Sequence, residues 1–215
     1  MSKYEDMQRI EHLRHLETDK EIVNIDNIKE QRPALHTRYS DALCSIKKCL
    51  STTSKILDIG CRGGLLMSYF INHGYKNIEG IDLLEDGLKL AESRGLSVSQ
   101  CDMHNLGIFE DMSFDAVIST HSLEHCWDPR TALEEIHRIL KNDGILYIEV
   151  PGIKKGKIKN RNGIKLGNTN EELFIMDELV DIMDGLYNVV DIKYIDYGKG
   201  KGGSVIQCLL EKLKK

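Results

Sequence analysis

The chain has 215 residues, 41% hydrophobic and 29% charged, which suits one globular domain with a single sizeable core. A net charge of −5 gives no general attraction to nucleic acid or to an anionic membrane surface. No apolar run reaches the length of a membrane span and the first residues lack an apolar leader, so a cytoplasmic location is expected.

The first 32 residues are charged, with Met7, Ile10, Leu13 and Leu16 at helical spacing, and Arg32-Pro33 breaks the segment. Leu35, Tyr39, Leu43, Ile46 and Leu50 then mark an amphipathic helix ending near Ser51. Residues 1–50 are expected to form an N-terminal helical cap and residues 51–215 the core domain. The cap either lies over the ligand edge of a sheet or simply covers a sheet face. From Lys55 onward strand and helix patterns alternate. Ile56, Leu57 and Ile59 form a strand buried on both faces. It stops in Gly60, Gly63 and Gly64, and residues 65–71 follow as a helix. Further strands are expected at residues 77–81, 96–100, 114–119 and 145–150, and helices at 84–94 and 131–140. Asp128 caps the second of these, with Pro129 in its first turn, and Asn142-Asp143-Gly144 turns the chain into the fifth strand. A helix over residues 171–186 precedes two alternating segments, 189–197 and 204–211, joined by a glycine- and lysine-rich tip. This is a doubly wound α/β pattern of seven strands, mostly parallel, with an antiparallel hairpin at its end. The six scattered cysteines (Cys44, Cys49, Cys61, Cys101, Cys126 and Cys208) contain no C-x-x-C pair and are expected as free thiols.

The glycine turn after the first strand is the place where such folds hold nucleotide-like ligands. Its G-x-x-G-G spacing departs from the G-x-G-x-x-G dinucleotide fingerprint. Asp58 would also repel a diphosphate, whereas a carboxylate there suits a ligand carrying an ammonium and a sulfonium. The turn therefore reads as a site for S-adenosylmethionine. Asp82 ends the second strand, from where a carboxylate reaches ribose hydroxyls or caps the next helix.

Four blocks resemble the class I S-adenosylmethionine-dependent methyltransferases over roughly residues 55–211: Leu57-Asp-Ile-Gly-Cys-Arg-Gly-Gly64, Gly80-Ile-Asp82, Gln100-Cys-Asp-Met103, and Phe114-Asp-Ala-Val-Ile-Ser119 with the helix and turn that follow it. The resemblance implies a Rossmann-like fold with S-adenosylmethionine as cofactor. It implies that Asp58, Gly60, Cys61, Arg62 and Gly64 surround the methionine part, together with Ser119 and Thr120. Asp82 and Leu83 would lie at the ribose, and Cys101, Asp102 and Met103 at the adenine. Arg62 stands where the family has glycine. If its φ is positive, the residue costs on the order of 1 kcal/mol, and its side chain would pair with the cofactor carboxylate or with Asp58.

Methyl transfer from a sulfonium mainly needs alignment, plus a base when the acceptor is a hydroxyl or a protonated amine. Thr120-His-Ser-Leu-Glu-His125 follows the fourth strand, and His121, Glu124 and His125 are its catalytic candidates, His121 as the base. Their spacing is similar to the E-x-x-E-H element of metal-dependent O-methyltransferases acting on quinone precursors and small-RNA ends, with His121 replacing the first acid. No histidine follows His137, and no metal ligand is assigned. Lys154, Lys155, Lys157, Lys159, Arg161 and Lys165 run without an intervening acid after the fifth strand, either to recognise an anionic acceptor or as a solvated loop. The expected activity is methyl transfer to oxygen or nitrogen of a small molecule. The alternatives are RNA-end or nucleotide methylation, and a non-catalytic cofactor-binding regulatory subunit.

Overall fold

Strand β1, Ile56–Ile59, is buried at every position, as an apolar run flanked on both faces requires. The computed structural model of which it is part describes residues 16–22, 24–152, 176–197 and 203–214. The other strands are β2 Ile78–Asp82, β3 Ser97–Gln100, β4 Phe114–Thr120, β5 Leu140–Pro151, β6 Tyr187–Asp196 and β7 Ser204–Lys212. They form one sheet in the order β3-β2-β1-β4-β5-β7-β6. β1 with β2, β2 with β3 and β4 with β5 pair in parallel, and β7 runs antiparallel to both β5 and β6. By its internal contacts the chain divides into two compact units, Met1–Asp102 and Met103–Lys215.

In the first unit, α1 (Ile28–Gln31) and α2 (Pro33–Ile46) precede β1. Pro33 opens α2 at its first position, where its missing N–H costs nothing. The break expected at Arg32-Pro33 is therefore a helix start. α2 ends at Ile46 rather than near Ser51, because the Ile46 carbonyl accepts from both Cys49 N and Leu50 N and closes the helix in a turn. α3 (Leu65–Asn72) buries Leu65, Leu66, Met67, Tyr69 and Phe70, and α4 (Glu85–Ser93) buries Leu88 and Ala91. β3, polar in sequence, is mostly exposed, as befits an edge strand. Of the expected N-terminal helix, residues 1–15 lie outside the described residues, while Leu16 and Ile22 are buried.

In the second unit, α5 (Pro129–Ile139) has Asp128 as its N-cap, accepting from Arg130 N at 3.1 Å and Thr131 N at 3.3 Å. Arg138 of α5 donates to the carbonyls of Leu106 (2.9 Å) and Phe109 (3.1 Å), which holds the connection leading into β4. The Asn142-Asp143-Gly144 turn forms, with Asp143 at φ 61°, yet it lies inside β5. Leu140 pairs with Phe114 before the turn and Ile145 pairs with Ala116 after it, so the turn is an irregularity within one strand. α6 covers Met176–Met183, shorter than the expected 171–186, of which residues 171–175 lie outside the described residues. It buries Leu179 and Met183, while Val180 is exposed. The basic segment Lys154 to Lys165 also lies outside the described residues. Among the described residues no helix is long and apolar enough to cross a membrane.

Candidate functional site

The first unit contains the glycine loop. β1 ends at Ile59, Gly60 follows at φ 77°, and the amides of Gly60 and Cys61 both donate to the Ile81 carbonyl of β2, at 2.8 and 2.9 Å. Arg62 takes φ 44°, the left-handed conformation that a glycine would adopt without cost. Its amide donates to Asp82 Oδ2 at 3.0 Å, which offsets that strain. Its side chain makes an ion pair not expected from sequence, with Nε 3.9 Å from Asp19 Oδ2 on the segment ahead of α1. Gly64 (φ 73°) is the N-cap of α3, and no side chain caps that helix start. Gly64 also serves packing, because a Cβ there would sit 2.1 Å from Leu96 Cδ1.

Asp58 and Asp82, at the ends of β1 and β2, are both buried. Burial pushes the Asp58 carboxyl up to about 7, the Asp82 charge adds to the rise, and Arg62 opposes it. Asp82 accepts from Leu84 N through Oδ1 (2.9 Å) and from Arg62 N through Oδ2. The N-cap of α4 is Leu84, with no side-chain cap, so the expected cap role is not the one Asp82 plays, and it holds the turn ahead of the helix instead. Each oxygen keeps lone-pair capacity for a further donor. Burial drives the Cys61 thiol far above its ordinary range, so Cys61 is an uncharged packing group. Leu83 is exposed, Cys101 is half-buried with its amide donating to the Asp82 carbonyl (3.1 Å), and Asp102 is exposed.

Two residues that sequence reasoning missed hold this loop. Arg94 donates to the carbonyls of Gly63, Asp19 (2.6 Å) and Ile22 (3.0 Å), tying the segment ahead of α1 directly onto the glycine turn. Asp19 adds the contact with Arg62. Nothing local in the sequence marks either residue, since their partners lie more than 40 positions away or on a loop. Arg94→Ala strands three partly buried carbonyls. It should lower the unfolding free energy by about 2 kcal/mol in a urea titration.

In the second unit, β4 ends at Thr120 beside Glu149 of β5. Ser119 is buried, with its hydroxyl lacking a partner among the described residues, and Thr120 is half-buried. His121 then takes φ 52°, its amide bonded to the Glu149 carbonyl at 2.8 Å, and the chain enters a 3-10 turn, Leu123–His125. The His121 ring lies between two buried carboxylates: Nδ1 is 3.2 Å from Glu124 Oε1, and Nε2 is 3.2 Å from Glu149 Oε1. Gln207 of β7, register partner of Glu149, donates to Glu149 Oε2 at 2.8 Å. His125 is half-buried at the end of the turn, and the Met103 sulfur meets Cys126 Sγ at 2.8 Å. Among the described residues no group of three or more His, Cys, Asp or Glu side chains is arranged to hold a metal ion. Glu149 was the missed residue with a visible signal, a single acid in the apolar run Ile145-Leu-Tyr-Ile-Glu-Val150.

The strand order β3-β2-β1-β4-β5-β7-β6, parallel except for β7, is a Rossmann-like fold, with a buried carboxylate pair and a turn rich in left-handed residues at the β1–β2 edge. Residues 57–148 match the family described as "Methyltransferase domain". The relatives include ubiquinone biosynthesis O-methyltransferases. That of Xanthomonas oryzae pv. oryzae is 34% identical over 101 residues, 44% of this chain and 42% of the relative. That of Xylella fastidiosa is 30% identical over 125 residues, 55% of this chain and 50% of the relative. The matched part thus spans about half the length of these relatives or less. Among solved structures, an S-adenosylmethionine-dependent methyltransferase from Methanosarcina mazei superposes with TM-score 0.66 at 22% identity, covering 79% of this chain and 97% of that one. The [4+2]-cyclase SpnF superposes with TM-score 0.68 at 18% identity, covering 83% and 81%. These likenesses establish the fold, and the cyclase illustrates that the fold alone does not dictate the reaction.

Proposed function

We propose that this chain is an S-adenosylmethionine-dependent O-methyltransferase acting on a small molecule. The observation that carries the reading is Asp58, a buried carboxyl beside a second acid, Asp82, with Arg62 opposing. Such a group is costly without a cation, and a ligand bearing an ammonium and a sulfonium supplies one. Asp82, at the end of the next strand, has acceptor capacity left for the two ribose hydroxyls. Leu83, Cys101, Asp102 and Met103 would flank the adenine, and Gly60, Cys61, Arg62, Gly64, Ser119 and Thr120 the methionine part. Bound in this way, S-adenosylmethionine supplies a methyl group on a sulfonium leaving group. The chain's own part is to fix that ligand through Asp58 and Asp82. The turn carrying His121, Glu124 and His125 presents the acceptor.

Oxygen as the acceptor atom is supported by the named activity of the relatives that match residues of this domain. The test is transfer of radiolabelled methyl from S-adenosylmethionine to fractionated small-molecule pools, with the products separated by alkaline hydrolysis and mass. Label appearing in a methyl ether or ester supports the reading. Label confined to nitrogen, or cofactor binding with no turnover on any fraction, overturns it.

A further inference from the structure

His121 was expected to act as the base of the transfer, and its surroundings point to another state. A neutral imidazole carries one N–H, so it can donate to one carboxylate while its other nitrogen presents a lone pair. Here both nitrogens face carboxylate oxygens at 3.2 Å, Nδ1 toward Glu124 and Nε2 toward Glu149. A neutral ring, itself 29% exposed, would set a lone pair against an anionic oxygen of a buried carboxylate, since Glu124 is 2% and Glu149 0% exposed. A second proton on the ring turns that repulsion into a charge-assisted hydrogen bond. We infer that Glu149 is a positioning residue that, together with Glu124, holds His121 as a doubly protonated imidazolium. The inference rests on the reading that the turn after β4 serves the acceptor, and it changes what that turn offers: a fixed cation rather than a proton acceptor.

The parts of the fold that impose this are specific. His121 is held at φ 52° by its amide bond to the Glu149 carbonyl, so backbone and ring are fixed by the same residue. Gln207 donates to Glu149 Oε2 from the facing strand, which leaves Oε1 turned toward the ring. Tyr197 receives a further hydrogen bond from Gln207 at 3.4 Å. The titratable groups within 3.2 Å of the His121 ring nitrogens include Glu124 from the 3-10 turn and Glu149 from β5. Among the described residues Glu124 Oε2 lacks a hydrogen-bond partner, and a proton on His121 Nδ1, 3.2 Å from Oε1, compensates that buried carboxylate.

The test is nitrogen NMR on the full, ligand-free chain labelled at histidine, with His121 assigned by loss of its signals in His121→Asn. At about pH 8, where an ordinary histidine is neutral, both His121 nitrogens should give the signals of protonated ring nitrogens. In Glu149→Gln one nitrogen should become unprotonated at the same pH, with the titration midpoint lowered by about one unit or more, a tenfold change. Glu149→Asp, which keeps the charge, should restore part of the shift. A purely structural role for Glu149 would leave the ring in the same protonation state in Glu149→Gln. A neutral His121 in the wild-type chain at that pH overturns the inference, and this arm needs no Glu149 variant to fold. Because no cofactor or acceptor is present, the outcome is separate from whether the protein transfers methyl groups.

Discussion

Asp82→Ala should weaken S-adenosylmethionine binding by about a hundredfold, near 3 kcal/mol, in a calorimetric titration. Two effects add. The substitution removes the acceptor proposed for the ribose hydroxyls, and it releases the Arg62 amide that now donates to Asp82 Oδ2 at 3.0 Å. Without that bond the left-handed strain at Arg62 loses a compensating hydrogen bond, and the loop has less reason to hold its shape. Asp82→Asn separates the two effects. Its carbonyl oxygen can still accept from one amide, so the loop should stay largely ordered while the charge is gone, and the loss should fall to about tenfold. Unchanged affinity in both variants would remove Asp82 from the ribose.

The affinity should also depend on pH through Asp58. In the ligand-free chain its carboxyl lies at about 7, raised from 3.8 chiefly by burial. A cationic ligand favours the ionised form, so below pH 7 binding must first expel a proton. The affinity should therefore fall by up to about tenfold for each pH unit below that point and level off above it. Repeating the titration in buffers of different ionisation enthalpy should show close to one proton released per ligand bound under mildly acid conditions. The same shift makes a statement about folding. A group whose folded value is raised contributes stability that is complete below its unfolded value of 3.8 and is lost as the pH rises through about 7. Asp58→Asn should thus stabilise the ligand-free protein at alkaline pH, remove this part of the pH dependence of binding, and lower the affinity there by tenfold or more.

What could be read from the sequence was whatever depends on neighbours along the chain. The burial of Ile56, Leu57 and Ile59, the cap at Asp128 with Pro129 behind it, and the placement of acids at the ends of β1 and β2 follow from local pattern and chain order. The antiparallel ending was legible because residues 189–197 and 204–211 alternate in polarity around a glycine-rich tip, and Tyr197 N does bond to the Gly203 carbonyl across it. What escaped was set by pairing at a distance. Arg62 turned toward Asp19 because Arg94 draws the segment ahead of α1 onto the loop, a contact no spacing rule contains. Chain order places Glu124 beside His121 at i+3, but it does not show the ring's other neighbour. Its second carboxylate arrives from β5, 28 residues later, and the group that orients that carboxylate arrives from β7. The helix end at Ile46 was missed for a smaller reason: Leu50 continues the apolar period although the backbone has already turned.

The claim on which the account depends is that the loop after β1, with Asp58 and Asp82, holds a cationic adenosyl ligand. Calorimetry of the intact protein at mildly alkaline pH, with S-adenosylmethionine and with NAD in parallel, tests it most directly. The account predicts saturable binding of S-adenosylmethionine that is weakened in Asp58→Asn and Asp82→Ala, and no binding of NAD. Binding of NAD, or S-adenosylmethionine affinity indifferent to both substitutions, would contradict it.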